Sequence, residues 1–206
     1  MASEPPRTPP YASPPFDNPK ADLIIRSSDT VDFRVFSFIL GMSSDVFSTM
    51  LEACQAGSGD VRDGCPIIQL QEDSVTLDHL LRVIYPRKAP TFDDVSKVPP
   101  VLQAALKYDM EKAVEIVSSA LRSFAPKAPL RVWCAAVRCG LDSEARAAAD
   151  EMVRKSLQVL DLTAPELQDL HAGAYYRLLR YRRLHGSVEQ DFTFGNPSRE
   201  IGRAHV

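Results

Sequence analysis

ADLIIRSSDTVDFRVFSFILGMSSDVFSTML, residues 21–51, decides how the rest of this chain is read. Leu23, Ile24 and Ile25 form a short apolar run after Asp22, and Ser27, Ser28, Asp29 and Thr30 make a polar turn cluster. Val31, Phe33 and Val35 then alternate with Asp32 and Arg34, the period of a half-buried strand. The pair reads as a hairpin. From Phe36 the period changes: Phe36, Ile39 and Leu40 share one helical face, and Val46, Met50 and Leu51 share another. Gly41 and residues 42–45 lie between the two, with Ser44 placed to cap the second helix. A hairpin feeding two short, sharply joined helices is an unusual local order, and it contains nothing that looks like an active site.

Before this stretch, residues 1–20 carry Pro5, Pro6, Pro9, Pro10, Pro14, Pro15 and Pro19 and predict a disordered or polyproline-like arm. Pro6-Arg7-Thr8-Pro9 has the spacing of a ligand for a proline-recognising module, although a solvated leader is the simpler reading. The arm has no apolar core of the kind a secretory signal needs. After the opening stretch, residues 52–66 hold Gly57, Gly59 and Gly64 among polar residues and predict a flexible loop. Residues 67–70, IIQL, follow as a short strand able to pair with the hairpin.

The remainder reads as helices. Asp73 and Ser74 cap a helix whose Leu77, Leu80, Leu81 and Ile84 lie at i, i+3, i+4 and i+7, and Tyr85-Pro86 ends it. Pro99 and Pro100 introduce a helix from residue 100 to 108. Asp109 is placed to cap the next, whose apolar face carries Met110, Val114, Val117 and Leu121. APKAP at residues 125–129 looks like a boundary. Beyond it, Leu130, Trp133, Cys134 and Val137 face inward on one helix, and Gly140 supplies its C-cap. Asp142 or Ser143 opens a second helix with Ala145, Ala148, Ala149 and Met152 on its buried side. Thr163-Ala-Pro-Glu166 has the form of a capping box. A last helix covers residues 172–185, and nothing periodic follows Gly186.

Composition excludes several classes of function. The chain has 206 residues, 45% of them hydrophobic and 25% charged, with a net charge of −3, values that suit a globular protein and argue against a dominant nucleic-acid surface. No apolar run reaches the roughly 20 residues of a bilayer span, so no membrane partner is expected. Cys54, Cys65, Cys134 and Cys139 fit free thiols in a reducing compartment, which places the chain inside the cell, in cytoplasm or nucleus. Cys134 and Cys139 lack the C-x2-C spacing of a zinc site, and His79, His171, His185 and His205 share no motif with acidic or cysteine partners. No catalytic residue, cofactor, metal site or small-molecule substrate follows from these patterns. Arg177, Arg180, Arg182 and Arg183 with Tyr175, Tyr176 and Tyr181 make a basic aromatic helix, for which the acidic residues at 142–169 offer an intramolecular counterpart.

Four segments taken in order resemble the BTB/POZ family, in the small standalone variety common in fungi. Asp22 sits where the family opens its first strand with aspartate. Phe33, Val35, Phe36, Ile39, Leu40, Ser44 and Phe47 follow the family's strand-helix signature. LLRVIYP at 80–86 resembles its helix ending in tyrosine, and ALKYDMEKAVEIVSSAL at 105–121 resembles its closing helix pair. The resemblance implies an α+β fold, a short mixed sheet packed against a cluster of helices and followed by an α-helical extension. It divides the chain into a disordered proline-rich arm (1–20), a BTB/POZ-like domain (21–124), a C-terminal helical extension (125–185) and a disordered tail (186–206).

The departures from the family are as informative. Phe36 stands where most members have histidine, and Ser37 where many have a basic residue, so Asp22 lacks the basic partner that repressor members use in a charged pocket. Members that bind cullin scaffolds often carry an apolar-x-glutamate motif after the second short helix. Here Glu52 follows Leu51 directly and a Gly/Ser loop follows, so that motif is not recognisable. The implied function is a non-enzymatic protein–protein interaction module that homodimerises and recruits a protein partner. The alternatives are a substrate adaptor of a cullin-based ubiquitin ligase and a DNA-associated transcriptional regulator. The short helix beginning at Phe36 is almost wholly apolar, so part of Phe36, Phe38, Ile39 and Met42 belongs either to the core or to an interface, and these four are the candidate dimer or partner interface.

Overall fold

The alternation at residues 31–35 does form a strand, but both of its faces are covered. In the computed structural model, which describes residues 8–55, 60–86, 90–157, 165–189 and 191–195, β1 (Leu23–Arg26) pairs antiparallel with β2 (Asp32–Val35). Leu23 lies opposite Val35 and Arg26 opposite Asp32. The two polar residues of β2 are buried with the apolar ones: Asp32 is 0% and Arg34 9% exposed. The cover is the proline-rich segment. Asp32 N–H donates to the Pro10 carbonyl at 2.9 Å, Ala12 N–H to the Asp32 carbonyl at 2.8 Å, and Arg34 N–H to the Phe16 carbonyl at 2.8 Å.

Where composition predicts a disordered arm, residues 8–20 are therefore a strap along β2. Two aromatic anchors explain the difference. Phe16 is fully buried, with its ring 5.7 Å from that of Phe33 and 5.2 Å from that of Tyr85. The Tyr11 ring lies against two guanidiniums, Arg62 at 3.9 Å and Arg34 at 4.6 Å. Proline suits such a segment, because its fixed φ favours extension and its missing N–H needs no partner. Pro6 and Arg7, the start of the PxxP spacing, lie outside the described residues.

Under the strap, Asp32 is held as an ion. Arg26 grips it bidentately at 2.6 and 2.9 Å, and Arg62 donates to the same carboxylate. Burial pushes the Asp32 carboxyl up, but the hydrogen bonds and charges of the two arginines outweigh it and leave the carboxyl below its ordinary value. Arg34 meanwhile donates to Asp63 and to the Tyr11 hydroxyl.

The stretch expected to be one flexible loop is more ordered at both ends. The second short helix runs on through Glu52, and Val61–Arg62 forms β3, antiparallel to β4 (Cys65–Gln69). Asp63 and Gly64 join them, both at positive φ, 50° and 78°, the geometry of a two-residue hairpin turn. β4 pairs parallel with β1, Ile24 opposite Ile67, which gives the order β2-β1-β4-β3 in a mixed sheet.

The helices are α1 (Ser37–Ser43), α2 (Asp45–Gln55), α3 (Ser74–Ile84), α4 (Val98–Lys107) and α5 (Glu111–Ser123), then α6 (Pro129–Cys139), α7 (Asp142–Arg154) and α8 (Ala172–Arg183). Asp73 caps α3 by accepting from Thr76 N–H at 2.7 Å. Pro99 and Pro100 do not interrupt α4. They occupy its first turn, where no N–H is needed, and a 3-10 turn at Val95–Lys97 precedes it. Asp109, expected to cap α5, instead closes α4: it takes φ 50°, and Met110 N–H returns to the Ala105 carbonyl at 2.9 Å.

Two compact units are distinguished, Met1–Thr91 with Gln103–Val114, and Phe92–Leu102 with Glu115–Val206. The first holds the sheet, α1, α2 and α3. In the second, α6 and α7 pack through Ala135, Ala136, Ala145, Ala148 and Ala149, all at most 2% exposed, and Gly140 turns the chain between them at φ 71°. The tail, read as disordered, returns onto these helices at residues 191–195, where Phe194 is 1% exposed. Its segment has no period because two isolated rings, not a helix or strand, make the contact. Thr163 and Ala164 of the capping-box pattern and residues 196–206 lie outside the described residues.

Candidate functional site

α1 has only two turns, and three side-chain bonds fasten its start. Phe36, at the N-cap, offers no side-chain acceptor. Asp22, at the foot of β1, supplies one: its carboxylate accepts from Ser37 N–H at 2.8 Å and from the Ser37 hydroxyl at 2.6 Å. Partial burial pushes the Asp22 carboxyl up, but the Ser37 bonds outweigh it and hold the carboxyl below its ordinary value. Ser37 thus takes over as Asp22's partner where a basic residue would stand. The Phe36 N–H donates to the Tyr85 phenol oxygen at 2.9 Å, so the tyrosine that ends α3 also positions α1.

With the helix so oriented, Leu40 is fully buried, and the opposite face carries Phe38 and Met42, one turn apart and each 73% exposed. Phe36 and Ile39 are half-buried beside them. The structure therefore brings Phe38 and Met42 into one open apolar strip and leaves Phe36 and Ile39 as its margin. Ser44 ends the strip: it accepts from Phe47 N–H at 3.0 Å, capping α2, and donates to the Tyr108 carbonyl. Phe47 stacks on Tyr108 at 4.7 Å, and the Tyr108 hydroxyl donates to Glu72 at 2.5 Å. Burial, then the Glu72 hydrogen bond, pushes the Tyr108 phenol far up, so it remains a neutral donor.

Beside Met42 lies an open cavity of about 500 Å³. Residues 42–45, 83–84 and 109–113 line it. These come from the α1–α2 junction, the end of α3 and the α4–α5 turn, which only the fold brings together. Sequence patterns had no signal for the cavity beyond Met42 itself.

The other groups of interest take structural roles. Arg177 donates from Nε to the Phe194 carbonyl at 3.0 Å, and Arg182 to the Leu157 carbonyl. Tyr181 is buried with its hydroxyl on Asp150 at 2.5 Å, while Arg180, Arg183 and Tyr176 are exposed. The basic aromatic helix is thus divided between internal and open positions. All four cysteines are free, and Cys65, Cys134 and Cys139 are buried. Burial, opposed by the charge of Arg138, pushes the Cys139 thiol up to about 11, which makes it a poor nucleophile at neutral pH. Among the described residues, no group of three His, Cys, Asp or Glu side chains could hold a metal ion, and no helix is long and apolar enough to cross a membrane.

A search of curated proteins finds no match to this chain. A family model, the BTB/POZ domain, matches residues 16–125. The match begins at Phe16, the buried anchor of the strap, and so takes in part of the segment that composition had set apart. A protein-interaction domain of this kind, with its mixed sheet and clustered helices, accounts for more than half of the molecule: the chain belongs to the BTB/POZ family.

Proposed function

We propose that this chain is a non-enzymatic interaction module, working inside the cell in cytoplasm or nucleus, that homodimerises through the open face of α1 and recruits a protein partner. One observation carries the reading: Phe38 and Met42, both 73% exposed, stand side by side on a helix fastened by Asp22 and Tyr85. Large apolar side chains presented on a rigid element are what an interface core needs, since little ordering entropy is left to lose on association. The cavity beside Met42 extends the same surface and supplies concave relief for a partner side chain. The cullin-adaptor alternative rests on family membership alone. For the DNA-associated alternative, Arg177 and Arg182 are already engaged with backbone carbonyls.

Light scattering at tens of micromolar tests the dimer. The expected mass is twice the 22.8 kDa of one chain, falling to that of one chain in the Phe38→Asp, Met42→Lys variant. A strict monomer for the unaltered protein ends the reading. A dimer that survives both substitutions moves the interface away from α1.

A further inference from the structure

The tail that returns to the helical unit is held as a ligand is held. Phe192 and Phe194 point two residues apart into a cluster with Tyr181, at 5.7 and 5.2 Å between ring centres, and Phe194 meets Trp133 edge-on at 5.8 Å. The backbone between and beside them is read by side chains rather than by a strand or helix. Arg146 donates to the Phe192 carbonyl at 2.9 Å, Arg177 to the Phe194 carbonyl at 3.0 Å, and Asp142 accepts from Phe194 N–H at 3.2 Å. Main-chain bonds of this kind suit any extended segment, and the ring pockets select which one. The tail reaches the groove from Gly186, at φ 79°, with no disulfide to tie it down.

The resident segment leaves a buried donor of the groove unsatisfied. Nη2 of Arg177 is buried with no hydrogen-bond partner among the described residues, although Nε of the same guanidinium binds Phe194. Immediately after Phe194 comes Gly195, where an added Cβ would meet nothing within 4 Å. A side chain at that position has room, and its Cα is one peptide unit from the carbonyl that Arg177 binds. Bidentate engagement of arginine by a carboxylate is among the stronger hydrogen-bonded contacts available to a peptide.

We infer that the groove formed by α6, α7 and α8 is a docking site for an extended Phe-x-Phe-acidic segment of a partner protein. The chain's own Phe192-Thr-Phe194-Gly195 is its weaker, displaceable occupant. The tail then acts as a cover that a better-matched segment removes. This site is remote in sequence from α1 and does not depend on dimerisation through that helix.

Trp133 is the single tryptophan of the chain and touches the second ring of the segment, so its emission reports occupancy directly. The full-length Phe192→Ala, Phe194→Ala variant is titrated with three peptides: Asp-Phe-Thr-Phe-Gly, Asp-Phe-Thr-Phe-Glu and Asp-Ala-Thr-Ala-Glu. The expected result is a saturable emission shift with the first two, about tenfold tighter for the glutamate peptide, and none with the third. The unaltered chain should bind the glutamate peptide at least tenfold more weakly than the variant does. A variant with intact helical circular dichroism that binds neither phenylalanine peptide overturns the proposal. So does a dimer of the unaltered chain that is lost with the two rings, because the occupant is then a second copy. If the variant does not fold, hydrogen exchange on the unaltered chain decides. Faster exchange at the Phe194 amide than in α6 supports a displaceable tail, and equal protection makes the tail ordinary core.

Discussion

Residues 32–35 and residues 36–42 are neighbours in sequence and opposites in physical character. The strand buries charge: Asp32 and Arg34 are at most 9% exposed. The helix that follows exposes hydrocarbon, with Phe38 and Met42 each 73% open. Hydropathy alone would have assigned both the other way round. What decides each case is the partner available within the chain. Asp32 finds Arg26 and Arg62, and the strap seals the group from water, so ionic burial is compensated. Phe38 and Met42 have no such cover among the described residues of their unit. Buried charge thus marks a contact made inside the chain, and open hydrocarbon on a fastened helix marks where one from outside is proposed.

The largest effect that could break this contrast is at the strap. Phe16→Ala removes a fully buried ring from between Phe33 and Tyr85, and a loss of about 3–5 kcal/mol in urea unfolding is expected. An unchanged midpoint would return residues 8–20 to a solvated arm. Asp32→Ala should cost somewhat less, about 3 kcal/mol, the low end for a broken buried pair. The discount reflects the 19% and 18% side-chain exposure that Arg26 and Arg62 retain.

The same carboxylate sets a pH dependence. Its folded titration point lies below the unfolded one, so its stabilisation is complete above the ordinary aspartate value of about 3.9 and is lost as pH falls through the folded value. Thermal melts should therefore show a shallower acid limb for Asp32→Ala than for the unaltered protein. A superimposable limb would remove Asp32 from the acid response. The smallest effect belongs to the helix. Phe38→Asp with Met42→Lys should change the stability of the single chain by no more than about 0.5 kcal/mol, read at concentrations low enough to keep it monomeric. A large loss there would mean that the open face is packed after all.

Much of the fold was legible because local chemistry and tertiary structure agree. Ser44, Asp73 and Gly140 stop or start helices where their side chains and backbones suggest, and the apolar spacing of Leu77, Leu80 and Leu81 does face the core. The Asp63-Gly64 turn carried a usable signal, since Asp-Gly favours two consecutive positive φ angles. It was obscured because β3 is two residues long and cannot display an alternation. The burial of Asp32 was not legible, since its cover comes from residues 8–20 and its second arginine from β3. At the candidate site, the apolar character of α1 marked Phe36, Phe38, Ile39 and Met42 together, and only the fold separates the exposed pair Phe38 and Met42 from the other two. The adjoining cavity could not be read from the sequence, because its walls come from separate parts of the chain.

The strap also bears on solubility. β2 is the outer strand of the sheet, and an open outer strand is a template on which other chains can pair. Pro10 and Ala12 occupy the hydrogen-bonding groups of Asp32, and the Phe16 carbonyl accepts from Arg34 N–H. The segment that does so carries Pro9, Pro10, Pro14 and Pro15, none of which has an N–H to offer a further strand. A sheet edge covered by proline stops growing there. The composition that first suggested an idle leader equips this segment to keep many copies of the chain from joining edge to edge.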